Sequence, residues 1–171
     1  MGDVEVRPAH GTADIEAAGT IVAEAYAADG LAGDDYRDRI RDASDRAANA
    51  LLLVAVDEAS GDVLGSVTYA RAGTPYAQIC RPGGAEFRML GVRPQARGRG
   101  VGDALVRACL DQAAADDAIE MALSTMAEMQ AAHRIYGRLG FVRTPERDWS
   151  PVPGTTLITF VKDLRTVAST P

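Results

Sequence analysis

Residues 86–105, EFRMLGVRPQARGRGVGDAL, constrain the fold more than any other stretch of the chain. A short apolar strand runs straight into an Arg/Gly-rich turn, and that turn opens an amphipathic helix. The first turn of a helix leaves backbone N–H groups unpaired, and the helix dipole adds partial positive charge there. Gly98, Gly100 and Gly102 have no Cβ, so the backbone can adopt unusual angles and lie against an anion. Arg97 and Arg99 add charge and planar donor forks that suit phosphate oxygens. The junction therefore predicts a phosphorylated ligand.

Two common phosphate loops are excluded. The dinucleotide pattern G-x-G-x-x-G fails because Asp103 stands at the third glycine counted from Gly98. A Walker loop fails because no Gly-Lys-Ser/Thr follows, and Lys162 is the chain's only lysine. Arg97-Gly98-Arg99-Gly100-Val101-Gly102 does match R-x-x-G-x-G, and the strand Met89-Leu90-Gly91-Val92-Arg93-Pro94 precedes it. Further on, Glu128 to Phe141 reads EMQAAHRIYGRLGF, a helix closed by Gly140. Ala132, Ile135, Tyr136, Gly140 and Phe141 fit the form A-x-x-L-Y-x-x-x-G-F with Ile for Leu. Together these segments resemble the GNAT acyltransferase superfamily across residues 86–141, with a looser likeness outside. One departure is Met129, at a place where the family often carries Asn.

A chain of 171 residues, 47% of them hydrophobic, is long and apolar enough for one folded domain. We read residues 1–165 as that domain and 166–171 as a frayed tail. The formal charge of −6 argues against a nucleic-acid or anionic-membrane surface. Positive charge is local, with Arg88, Arg93, Arg97 and Arg99 clustered at the junction. Cys80 and Cys109 are the only cysteines, and they make neither a disulfide framework nor a zinc spacing. Acidic Asp3 and Glu5 with no apolar run exclude a signal peptide, and no segment reaches transmembrane length. A cytoplasmic protein is the expectation. Arginine in place of lysine, with abundant alanine and glycine, points to a GC-rich bacterial genome.

Periodicity predicts strands at Val4–Arg7, Leu51–Val56, Val63–Ala70, Glu86–Val92, Glu120–Thr125, near Val142, and at Thr155–Val161. Helices are predicted over Asp14–Ala28, along Tyr36, Ile40, Ala43 and Ala47, after the glycine loop, and along Met129 to Leu139. Gly30 and Gly33 punctuate the link between the first two helices, and Ala72–Ala85 is a long loop. The order resembles the GNAT fold: a mixed α/β architecture of about seven strands with about four helices on both faces.

The resemblance implies acetyl-coenzyme A as co-substrate and a primary amine as acceptor, with homodimer formation left open. It implies that Arg97 to Gly102 hold the pyrophosphate. A backbone N–H near Leu90, Gly91 and Val92 would polarise the thioester carbonyl. Gly91 suits a strand distorted for close ligand approach. Tyr136 would protonate the departing thiolate, and Glu86 would accept the amine's proton. Spacing alone allows other roles: Tyr136 as a core aromatic, and Glu86 as a charge paired with Arg88 or Arg71. His133, one helical turn before Tyr136, is a further titratable candidate, and Trp149 a candidate lining of the acceptor pocket. Asp29, Asp34, Asp35, Asp38 and Asp42 form a candidate acidic rim for a cationic amine. A catalytically silent acyl-coenzyme A-binding module is the alternative, favoured by Met129.

Overall fold

Alternating apolar runs build the sheet, and helical stripes cover it. A computed structural model describes residues 3–28 and 34–165; Asp29, Gly30, Gly33 and the tail 166–171 lie outside the described residues. The chain begins with β1 (Val4–Pro8), α1 (Gly11–Ala28), α2 (Asp34–Arg41) and α3 (Ser44–Asn49). An antiparallel run follows in β2 (Leu51–Asp57), β3 (Val63–Arg71) and β4 (Ala85–Val92). Helix α4 (Val101–Ala115) then crosses to β5 (Glu120–Thr125), and α5 (Gln130–Arg138) leads to β6 (Val142–Arg143), β7 (Trp149–Val152) and β8 (Thr155–Asp163). The strand order is β1-β2-β3-β4-β5-β8-β6, with β7 paired to β8.

Only β4 and β5 pair in parallel, joined through α4; the other pairings are antiparallel. This is the crossover that the 86–105 junction demands. Helices α4 and α5 cover one face, where Phe87, Leu105, Val106, Met121, Leu123, Tyr136 and Phe141 form the larger core. Burying each of the large apolar side chains there stabilises the fold by about 1.5–3 kcal/mol. On the other face α1 packs Ala18 and Ile21 against Leu52, Val54 and Val63.

Two expectations need correction. The single second helix is two helices, because Asp42 Oδ1 accepts the Ser44 N–H at 3.0 Å and its hydroxyl, which turns the chain between Arg41 and Ser44. The sheet also gains a strand over the seven expected: Trp149–Val152 form β7, so the described sheet has eight. Pro151 is tolerated because β7 pairs with β8 alone and needs no second ladder.

Candidate active site

The sheet opens at β4. Ala85, Glu86 and Phe87 pair with Met121, Ala122 and Leu123 of β5, and the pairing stops there. On the other side, Ser66 of β3 opposes Gly91 while Thr68 opposes Arg88, so Val67 faces an extra residue. The extra residue is a bulge, with Met89 at φ 55°. Its effect shows in the core: Ala85 and Phe87 belong to the α4 face, and after the bulge so do Leu90 and Val92. Met89 turns to the opposite face and packs with Val22, Ala23, Ile40 and Tyr26. The bulge bends β4 away from β5, leaving the backbone of its second half without a neighbour on that side.

Gly91 serves a packing contact. A Cβ there would lie 3.0 Å from Val22 Cα and 3.2 Å from Val22 Cγ2, so the glycine lets α1 seat against β4. The distortion of the strand belongs to Met89.

Beyond β4 the chain makes a tight turn at Pro94–Ala96 and enters α4 through Gly98 and Gly100, at φ 82° and 78°. Only glycine adopts this left-handed region without strain. A Cβ at either would meet nothing within 4 Å, so the space beside the loop is open. Gly100 is the cap residue of α4 and supplies no side-chain acceptor to the first-turn N–H groups. The third glycine differs: a Cβ on Gly102 would meet Ile135 Cδ1 at 3.0 Å, so it admits α5 against α4. Arg99 Nη2 donates to Asp57 Oδ2 at 2.9 Å, which pins the loop to the end of β2. That bond, with the N–H groups of Ala59 and Ser60 and the nearby charge, holds the Asp57 carboxyl below its usual range. Arg93 donates through Nε to the Val63 carbonyl at 2.7 Å.

Helix α5 ends as its sequence requires. Gly140 sits at φ 88°, the Phe141 N–H donates to the Tyr136 carbonyl at 2.9 Å and the Gly140 N–H to Gly137 at 3.2 Å. Lys162 Nζ donates to the Leu139 carbonyl at 2.6 Å, a cation at the negative end of the helix. The cap fixes Tyr136, which is 3% exposed and ringed by Phe87, Phe141 and Phe160 at centroid distances of 5.8, 6.0 and 5.9 Å. Burial, and next the Tyr26 phenol, push the Tyr136 hydroxyl well above its ordinary pKa, so it stays protonated. Tyr26 comes from α1 on the opposite face, near the opening. His133 donates through Nε2 to the Met126 carbonyl at 3.1 Å. Met129, in the family's Asn place, accepts a 3.5 Å bond from Thr125 Oγ1 through its sulfur.

Glu86 is 1% exposed and pairs with neither Arg88 nor Arg71. Its Oε1 accepts the N–H groups of Gln78, Ile79 and Cys80 at 2.6, 2.8 and 3.1 Å. The long loop is thus clasped to the sheet by a carboxylate. A second clasp lies on β5, where Glu120 Oε2 accepts from Arg147 Nη2 at 2.7 Å and from the Arg81 N–H at 3.2 Å. Arg147 also donates to the Ile79 carbonyl at 2.6 Å. Burial pushes Glu120's carboxyl up, but the Arg147 and Arg81 bonds and charges outweigh it and hold the group below its usual value. Neither Glu120 nor Arg147 stands in a motif, and no sequence signal marks them. Burial, then the Glu86 charge, push the Cys80 thiol up to about 12, and burial pushes Cys109 up further. Both are thiols, not nucleophilic thiolates.

Of the acidic rim, Asp34 opens α2, Asp38 is exposed, and Asp42 is spent on its turn with Ser44. The Trp149 indole N–H is buried without a hydrogen-bond partner among the described residues. Among those residues no helix is long and apolar enough to cross a membrane, and no cluster of side chains could hold a metal ion.

Solved structures share this architecture. A GNAT-family acetyltransferase from Staphylococcus aureus Mu50 superposes with a TM-score of 0.74 at 11% identity, covering 95% of this chain and 100% of that one. A GCN5-related N-acetyltransferase from Kribbella flavida gives 0.66 at 24% identity, covering 94% and 98%. The PaiA N-acetyltransferase of Thermoplasma acidophilum, in complex with coenzyme A, gives 0.68 at 18% identity, covering 94% and 99%. No curated protein sequence matches the chain. The acetyltransferase (GNAT) family matches residues 17–141, from α1 through the bulged strand and glycine loop to the cap of α5, and the chain belongs to that family.

Proposed function

We propose that the protein transfers the acetyl group of acetyl-coenzyme A directly to a primary amine within a ternary complex. The observation that carries this reading is the parting of β4 from β5 at Met89, beside the glycine-rich start of α4. When bound, acetyl-coenzyme A supplies an acetyl group activated as a thioester. The residues present fit it: Gly98 and Gly100 leave open space, and the first turn of α4 presents N–H groups to the pyrophosphate. Arg97, Gly98, Arg99, Gly100, Val101 and Gly102 make up that cradle. The coenzyme A bound by the Thermoplasma protein accords with this assignment.

The chain's own groups then divide the chemistry. A backbone N–H among Leu90, Gly91 and Val92 polarises the thioester carbonyl, in the half of β4 that β5 does not pair. An alkylammonium has a pKa of about 10.4, so the acceptor must lose a proton before it attacks. Glu86 accepts that proton through Oε2, directly or by way of water, while Oε1 is held by the loop. Tyr136 protonates the leaving thiolate. A thiol titrates near about 8.5, below a buried phenol, so proton transfer is completed by re-equilibration with solvent. Release of free thiol in the presence of a panel of primary amines tests the reading, and no release with any of them would refute it.

A further inference from the structure

The face of β3 and β4 that looks toward α1, α2 and α3 carries an arginine without a counter-ion. Among the described residues, half-buried Arg7, Arg99, Arg143 and Arg147 each hold a carboxylate, and Arg93 holds a carbonyl. Arg88 is equally half-buried and makes neither an ion pair nor a hydrogen bond with the described residues. Its direct partner across the ladder is Thr68, which is 1% exposed and whose hydroxyl is also without a partner. Glu86, two residues away on the same strand, turns its Oε1 to the loop instead. Leaving a guanidinium and a hydroxyl partly or wholly out of water with no acceptor is costly. The two sit side by side on one face, and Arg88 immediately precedes the bulge at Met89.

We propose that Arg88 and Thr68 bind the carboxylate of the acceptor, which is therefore a free amino acid and not a simple amine or a peptide N-terminus. This rests on the acetyl-transfer reading and names its substrate class. A planar guanidinium takes both oxygens of a carboxylate, and the hydroxyl supplies a further donor. One half-buried guanidinium with no acceptor among the described residues matches a monoanion, and the chain's formal charge of −6 disfavours anything more negative. A carboxylate held on Arg88 brings its neighbouring amine up beside the gap between β4 and β5 and beside Glu86. The Tyr76 phenol, bonded to Asp45 and close to Arg88, belongs to the loop that closes this face.

The test measures thiol release with L-amino acids, β-alanine and γ-aminobutyrate, each beside its carboxamide. The expected result is a KM about 10–100-fold higher for the amide with kcat changed little, the scale of a lost charge-assisted contact. This comparison uses the unaltered protein and so does not depend on a variant folding. Arg88→Gln should then raise the KM of the amino acid to that of its amide, while Arg88→Lys restores part of the difference and Thr68→Val removes a smaller part. Equal KM for acid and amide, or a preference that survives Arg88→Gln, would overturn the inference and leave acetyl transfer standing. If no amine of any kind releases thiol, the acetyl-transfer reading fails. Calorimetry of the same amino acids against the folded protein then decides the inference alone: binding lost in Arg88→Gln supports it, and no binding overturns it.

Discussion

Glu86 carries both a structural duty, visible in its bonds, and a proposed chemical one, and Glu86→Gln separates them. The carboxylate oxygen Oε1 accepts three backbone N–H groups at 2.6–3.1 Å. Glutamine keeps an acceptor oxygen of the same shape but loses the charge. A neutral hydrogen bond contributes about 1 kcal/mol, and a charge-assisted one about twice that. Three such differences, reduced for donors that are only part-buried, come to about 2 kcal/mol. For a chain of this length that lowers Tm by about 4–8 °C. The proposed base role predicts a separate loss: kcat per folded molecule falls by about 10²–10⁴-fold at neutral pH. Part of it returns at high pH, where free amine is more abundant. Thermal melts and a pH–rate profile on the one variant measure both. A lowered Tm with normal turnover would refute Glu86 as the base and leave it as the clasp of residues 78–80. An unchanged Tm would refute the clasp.

Tyr136→Phe removes only the hydroxyl, so kcat should fall by about 10²–10⁴-fold with little change in coenzyme affinity; unaffected turnover would reduce Tyr136 to core packing. Gly100→Glu puts a charged side chain into the open space beside the loop and should abolish coenzyme A binding by calorimetry in a protein that still folds. Gly102→Val should act differently, costing about 1–3 kcal/mol in thermal melts by forcing Ile135 and α5 away from α4. Glu120 has a carboxyl held below its usual range, so its stabilising bonds to Arg147 and Arg81 are present above the unfolded pKa of about 4.3 and are lost as pH falls through the lower folded value. Glu120→Gln should therefore lower Tm near neutrality and flatten the fall in Tm below pH about 4.

Much of this was legible before any fold was known. The glycine loop, the closing of α5 at Gly140 and the strand–helix order rest on local requirements: positive φ at Gly98, Gly100 and Gly140, and side-chain periods of two or 3.6 residues. Even the bulge left a trace, because apolar Phe87 and Leu90 stand three apart where an unbroken strand would space them by two. What that slip does, opening the sheet toward β5, depends on which strand lies alongside. The division of labour among the glycines also came only from the fold: Gly91 makes room for α1 and Gly102 for α5, whereas Gly98 and Gly100 face open space. The pairings followed the same rule. Arg99 meets an aspartate 42 residues away, Glu86 turns from both neighbouring arginines to a loop, and Arg88 finds no partner among the described residues. Local sequence determines the dihedral angles and faces of each element. Which charges meet across elements is decided by topology, because contacts between distant residues exist only once the chain has closed around them.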